Sequence, residues 1–227
     1  MDLFLSTRIK SFQEKAGGHI ALLGYRYMNL CVKAEVAALL PVAVDVMGTN
    51  MHLEDVALIA TPDNYHFAIY PKVEEKNYIQ QIVNGILFSH PEFKLSMKKT
   101  QILNEEKQYL EYEMPEVDKN RRDLLNEAVK TLYDEAKVNI EKLYAEEKAA
   151  LVDLKEVFND EDIKKADEEL DKKHDLVLDK ILDIKLQKLD EVEAGYQRYL
   201  TMHPDEEADG SKKHDVTKSM MMNEEEN

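Results

Sequence analysis

The stretch that decides the fold begins at Met114-Pro115, opens a helix at Asn120-Arg121-Arg122-Asp123-Leu124, and runs to Leu189. It is broken once, at Leu154-Lys155-Glu156-Val157-Phe158-Asn159-Asp160-Glu161-Asp162. In its first arm Leu125, Val129, Leu132, Ala136, Leu143, Ala150 and Leu154 recur about every 3.5 residues among charges. In the second, Leu170, Val177, Ile181, Ile184, Val192 and Tyr196 do the same, with Leu178, Leu182 and Leu186 widening the stripe. Two such helices form a hairpin that cannot bury both stripes alone, and a stripe this broad suits a helix packed on two neighbours. The pattern therefore predicts a third helix. A dimeric coiled coil is the alternative, and the drift of the repeat counts against it.

The other strongly apolar helical segment lies at the far N-terminus. It reads from about Leu3 to Ala38, with Leu22, Tyr25, Met28, Asn29, Val32 and Val36 at helical spacing and Pro41 closing it. Gly17-Gly18 is expected to interrupt it, because each glycine costs about 1 kcal/mol in a helix interior. Residues before Gly17 then read as a short separate helix or a frayed arm.

Between these segments the periodicity changes. Val42–Met47 alternates as a strand, and Gly48-Thr49-Asn50 is a turn. Val56–Ala60 and Tyr65–Tyr70 pair around Pro62-Asp63-Asn64, which adopts turn geometry cheaply, and Pro71 ends the hairpin. Glu74 to Leu87 reads as a helix with Tyr78, Ile79, Ile82, Val83 and Ile86 inward; Phe93–Met97 and Gln108–Glu113 form a further strand pair. The fold class expected is α+β. A three-helix bundle (residues 1–40 and 115–200) carries an inserted small β-rich α/β domain (41–114), joined by hinges at Leu40-Pro41 and Met114-Pro115, where proline restricts the backbone. From about Thr201 the chain is rich in Asp, Glu, Lys and Met without periodicity, so 201–227 reads as a disordered acidic tail.

Charge narrows the function. With 46 acidic against 30 basic residues the net charge is −16, so exposed nucleic acid repels the chain unless its few cations share a face. Only Arg8, Arg26, Arg121, Arg122 and Arg198 offer the planar fork suited to phosphate. The single cysteine, Cys31, permits no internal disulfide. The N-terminus lacks a signal-peptide pattern, and Arg26, Lys33, Glu35 and Asp45 interrupt the apolar run from His19 to Val46. A cytoplasmic monomer that binds neither DNA nor membrane is expected.

Enzyme chemistry finds no foothold. His19, His52, His66 and His90 fall on different elements without metal-ligand spacing, and His174 reads as a boundary residue of its helix rather than a ligand. There is no nucleophile elbow, P-loop or dinucleotide fingerprint. The many carboxylates read as solvated helix faces, and Met220-Met221-Met222 as tail rather than a soft-metal site. Neither a catalytic residue, a metal nor a cofactor is expected. Arg121-Arg122 is the exception. Cations sit badly in the first turn of a helix, where the dipole is positive, so an anionic partner is implied. Lys130 and Lys137 lie two turns apart on one face with Arg122 roughly in phase, forming a sparse cationic line; Tyr133 and Tyr144 on the same helix read as core-edge packing.

The order helix, compact insert, helical hairpin resembles the ribosome recycling factors. Val42-Ala43-Val44-Asp45-Val46-Met47-Gly48-Thr49 with Leu53 is similar to that family's strand, Tyr-Gly-Thr turn and following Leu. Pro115 to Leu125 is similar to its Pro-Pro-Leu-Thr-x-Glu-Arg-Arg-x-x-Leu opening of the second helix. Tyr133-Asp134-Glu135-Ala136-Lys137-Val138-Asn139-Ile140 stands where the family reads Glu-x-Ala-Arg-Val-Ala-Ile-Arg, and Lys155 to Leu189 follows its inter-helix turn and third helix. The resemblance covers roughly residues 10–195. The departures are specific. Cys31-Val32-Lys33-Ala34-Glu35 replaces an Arg-Thr-Gly-Arg-Ala motif that faces ribosomal RNA; Lys137 and Glu141 replace arginines, and Tyr144-Ala145 replaces an Arg-Arg pair.

The resemblance implies a translation factor that docks its bundle on the large ribosomal subunit. Elongation factor G would then drive the insert to separate post-termination subunits, with no chemistry in the factor itself. The alternative is a paralogue that kept the fold, lost recycling, and binds a basic protein through its acidic helices.

Overall fold

The computed structural model describes residues 2–102 and 105–204. Three long helices make the bundle: α1 (Leu3–Asn29), α5 (Lys119–Asp153) and α6 (Asp160–Met202). Asp2, Asp118 and Asn159 cap them, each side chain accepting a backbone N–H of the first turn, from Phe4, Arg121 and Asp162 respectively. A single 3₁₀ turn, Leu154–Glu156, reverses the chain between α5 and α6. The bundle core joins Leu5, Phe12, Leu23 and Tyr27 of α1 to Val129 and Ile140 of α5 and Leu170 and Ile181 of α6.

The first helix corrects the sequence reading three times. It runs unbroken through Gly17-Gly18, both exposed, because Phe12 and Ala16 before them and Leu23 and Tyr27 after them are buried on one stripe. Burial of that stripe, at about 1.5–3 kcal/mol for each large side chain, outweighs the intrinsic cost of two glycines. The stripe itself is rotated from the expected one. Leu22, Tyr25 and Met28 are exposed, and the segment before Gly17 supplies Leu5, Ile9 and Phe12 to the core. The helix also stops at Asn29 rather than Ala38; Val36–Leu39 is a separate short helix, α2. Likewise Leu182 and Leu186, expected to widen the α6 stripe, are exposed.

The insert begins with α2 and a hairpin of β1 (Ala43–Val46) and β2 (Thr49–His52), followed by the short α3 (Leu53–Val56). Met47 (φ 52°) and Gly48 (φ 82°) form the turn between them, so Thr49 and Asn50, read as turn, already belong to β2. Two positive φ values match the twist of a tight hairpin, and glycine takes the second at no steric cost. Next come β3 (Ala57–Ala60), β4 (His66–Pro71), α4 (Lys76–Ser89), β5 (Lys94–Ile102) and β6 (Glu105–Glu113). Their sheet is antiparallel in the order β3-β4-β6-β5. The insert has its own core, in which Phe67, Ile69, Leu110 and Tyr112 of the sheet meet Ile82 and Ile86 of α4, Val44 of β1 and Leu39 of α2.

Two crossings join the cores. Residues 30–35 lead in and 115–118 lead out. Leu40 and Pro41 do not lie at the crossing. Leu39 and Val42 on either side are buried in the insert core, and the Leu40 and Pro41 carbonyls accept from Glu54 N–H and the His52 ring. Met114 also belongs to the insert, its N–H donating to the Tyr65 carbonyl; Pro115 is the first residue beyond it. Thr201 and Met202, expected in the tail, complete α6, and the remainder of that expectation, residues 205–227, lies outside the described residues. Among the described residues no helix is long and apolar enough to cross a membrane.

Candidate nucleic-acid interface

The four cations singled out in the sequence fall into two environments. Arg121 turns inward. Its guanidinium donates to the Cys31 carbonyl at 3.0 Å, and its Nε is buried without a hydrogen-bond partner. Burial lowers its pKa while the charge of Glu92, on the loop after α4, opposes that shift. Arg122 is half-buried on the neighbouring face. It grips Asp123 with two nitrogens, at 3.1 and 2.9 Å, and lies 4.4 Å from the Tyr196 ring centroid on α6. Lys130 and Lys137 are exposed and, among the described residues, have neither a hydrogen-bond nor an ion-pair partner. Between them Tyr133 carries Lys185 of α6 over its ring at 4.2 Å. Along α5 these positions thus present two exposed cations and one partly engaged guanidinium.

Farther along α5 the same edge is closed by the molecule itself. Tyr144 stacks on His174 of α6 with centroids 3.9 Å apart, and its hydroxyl donates to Asp171 at 2.7 Å. Lys148 bridges Asp167 and Asp171 at 2.6 and 2.5 Å. His174 Nε2 lies 3.1 Å from the Glu141 carboxylate. Hydrogen bonds from Lys148 and Tyr144 hold the Asp171 carboxyl below its ordinary pKa. These charges satisfy each other across the α5–α6 seam and offer nothing to an anion. Glu141 and Tyr144 thus serve the seam.

The leading crossing is similarly self-contained. Lys33 pairs with Glu35 at 2.7 Å, and Cys31 is buried, which pushes its thiol up to about 11. Such a thiol is inert at neutral pH. His66 faces Asp63 at 2.8 Å and His90 lies 3.7 Å from Glu92, each paired within the insert. Among the described residues no cluster of His, Cys, Asp and Glu has the grouping to hold a metal ion.

Sequence reasoning missed three features of this region. The inward turn of Arg121 depends on a carbonyl 90 residues away and left no local signal. The Lys148 bridge needs the α5–α6 register, which periodicity does not supply. Gly195, isolated within the α6 pattern, was readable as a site of close approach. A Cβ there would lie 2.7 Å from Val32 Cγ1 and 3.0 Å from Val117 Cγ2.

Comparison with known proteins adds the family. The model of the family described as "Ribosome recycling factor" matches residues 28–192. Among solved structures, the solution structure of a ribosome recycling factor is similar over 86% of this chain and 100% of its own, with 19% identity and a TM-score of 0.66. A second similar chain belongs to models for the T. thermophilus ribosome recycling factor and the E. coli elongation factor G bound to the E. coli post-termination complex. It shows 21% identity and a TM-score of 0.52, covering 85% of this chain and 99% of its own. No curated protein matches.

Proposed function

The chain belongs to the ribosome recycling factor family, and from that premise we propose that it binds the large ribosomal subunit through α5 and helps split post-termination complexes by rotation of its insert. The observation that carries this reading is the pair of unpartnered exposed cations Lys130 and Lys137, which lie two turns apart on one face of α5. Arg122 extends the face toward the helix N-terminus. Phosphate contact by these groups supplies an electrostatic, salt-dependent affinity. The hinges are then the crossings at residues 30–35 and 115–118, with Pro115 stiffening the second, rather than Leu40, Pro41 and Met114 inside the insert. Elongation factor G is the partner that would turn the insert, as its presence beside the similar chain suggests. GTP hydrolysis belongs to that partner, so this cytoplasmic factor works by binding and rotation without a catalytic residue or cofactor.

A second reading is favoured by the seam at Glu141, Tyr144, Lys148, Asp171 and His174. Where the family's arginines would reach RNA, this chain has a self-neutralised surface. A paralogue that has left recycling and uses its acidic helices to bind a basic protein fits that surface. Co-sedimentation of the purified protein with large ribosomal subunits across a salt series separates the two. Saturable binding near physiological salt, weakened by Lys130→Glu and Lys137→Glu, supports the first reading. Absence of binding even at low salt, where screening is least, sinks it in favour of the second.

A further inference from the structure

The junction between bundle and insert contains two features that the binding reading does not use. One is Arg121, a cation turned into the molecule from the first turn of α5. The other is Gly195, a residue without a side chain where α6 meets Val32 and Val117.

Arg121 reaches across the junction. It belongs to the bundle, and the carbonyl that it meets, Cys31, belongs to the leading crossing, whose side chain is already part of the insert core. Its first-turn position is held by Asp118, which accepts the Arg121 N–H at 2.7 Å. Glu92 lies 3.7 Å from the ring of the buried His90, which stacks on Phe93 with centroids 4.7 Å apart, and its charge favours the protonated guanidinium of Arg121. The hydrogen bond from Arg121 to the Cys31 carbonyl is thus a direct polar contact between α5 and the leading crossing. An arginine so placed is costly to bury, and its fork geometry specifies an angle as well as a distance.

Gly195 marks where the crossings touch the bundle. Val32 of the leading crossing and Val117 of the trailing one both pack on it, together with Leu125 and Val192 in one small apolar cluster. A Cβ at 195 would overlap Val32 outright and crowd Val117. Both connections therefore bear on the same gap in α6. Around them the contacts are apolar and non-directional, so they resist separation but do not by themselves fix an angle.

We propose that Arg121 is a latch and Gly195 a bearing: the hydrogen bond from Arg121 to the Cys31 carbonyl sets the angle of the insert to the bundle, and the crossings turn against α6 at Gly195 when it is released. Arg121 is on this view a positioning residue, distinct from Arg122, Lys130 and Lys137 on the outer face. The device has use in the rotation proposed above, yet it is a property of the free protein and is measured without ribosomes.

The test is a distance distribution between spin labels on the two bodies. Phe88 on α4 is 92% exposed and Val138 on α5 is 66% exposed, so Phe88→Cys and Val138→Cys give labelling sites outside both cores. Cys31→Ser removes the native thiol while keeping the carbonyl. In this background double electron–electron resonance should give one narrow distribution. Arg121→Gln should broaden it, and Arg121→Lys, which keeps the charge but loses the fork that reaches the Cys31 carbonyl, should broaden it too. Gly195→Ala should shift the mean while helix content by circular dichroism is kept. Should Arg121→Gln fail to fold, Arg121→Lys decides the latch. A distribution as narrow as the parent's in the folded latch variants overturns the latch, and an unmoved mean in Gly195→Ala overturns the bearing. Loss of ribosome binding with the latch intact would instead count against the α5 reading alone.

Discussion

Tyr144 and His174 lie ring on ring across the α5–α6 seam, 3.9 Å between centroids and 16° from parallel. The stack brings the Tyr144 hydroxyl onto Asp171 and leaves His174 Nε2 against Glu141. Four polar side chains are thereby satisfied by one pair of rings. Tyr144→Phe should cost about 1 kcal/mol, the value of one hydrogen bond to a charged acceptor in a half-exposed place. Tyr144→Ala should cost about 1–3 kcal/mol, because the stack goes as well. Urea denaturation of the two variants checks the order, and equal losses would show that the stack contributes nothing.

The same seam sets an acid limb on stability. Hydrogen bonds from Lys148 and Tyr144 depress the Asp171 pKa in the folded state. A depressed carboxyl stabilises the fold above its unfolded value, about 3.9, and that contribution is lost as pH falls through the lower folded value. Asp171 is half-exposed, so the effect should stay within about 1 kcal/mol. Thermal melts between neutral pH and about pH 3 should fall less steeply for Asp171→Asn than for the parent. Parallel curves would remove Asp171 from the acid limb.

Phe12→Ala should cost about 3–5 kcal/mol, the value for a fully buried aromatic ring. Removal of the segment before Gly17 should unfold the bundle, since it takes Leu5, Ile9, Phe12 and Ala16 with it. The sequence reading, in which these residues are a short separate helix or a frayed arm, expects little change to the bundle. Chemical denaturation of the truncated chain distinguishes them directly.

Glu141→Arg tests the α5 surface that this chain has closed against α6. It breaks the pairing with His174 and places a fork beside Lys137. Binding to the large subunit should tighten, with the slope of log affinity against log salt steeper by roughly one unit. Lys130→Glu with Lys137→Glu should flatten the slope by roughly two. An unchanged slope in both would exclude α5 as the contact face.

Gly85→Ala should loosen the insert without touching the bundle. A Cβ at 85 would meet the Ala43 carbonyl at 2.5 Å, so α4 must lift from β1, at about 1–3 kcal/mol. A biphasic melt with only one phase moved is the expected result.

The order of elements was legible because each rests on local pattern. The α5 and α6 stripes, the Pro62-Asp63-Asn64 turn and the inward face of α4 all follow from residues within a few turns of one another. The phase of α1 was not, since its flanks are apolar on several sides and only the positions of α5 and α6 decide which side is buried. Leu22 and Leu23 are adjacent and equally apolar, yet one faces water and the other the core. The candidate site divides in the same way. Lys130 and Lys137 were placed correctly on the helix surface by spacing alone. Arg121 was read as the sibling of Arg122, because its partner Cys31 lies in another part of the chain.

The bundle is closed by helices that lie on either side of the insert in the chain. During synthesis α1 emerges first, but its stripe is finished only when α5 and α6 follow, some 200 residues into the chain. The insert, whose core is drawn from residues 31–114, is complete much earlier. Domains fold as units while the chain lengthens. The first helix made is therefore the last to find its partners, and the nascent chain spends that interval with Leu5, Phe12, Leu23 and Tyr27 uncovered. Chaperone demand should peak after the insert has folded and end as α6 leaves the exit tunnel.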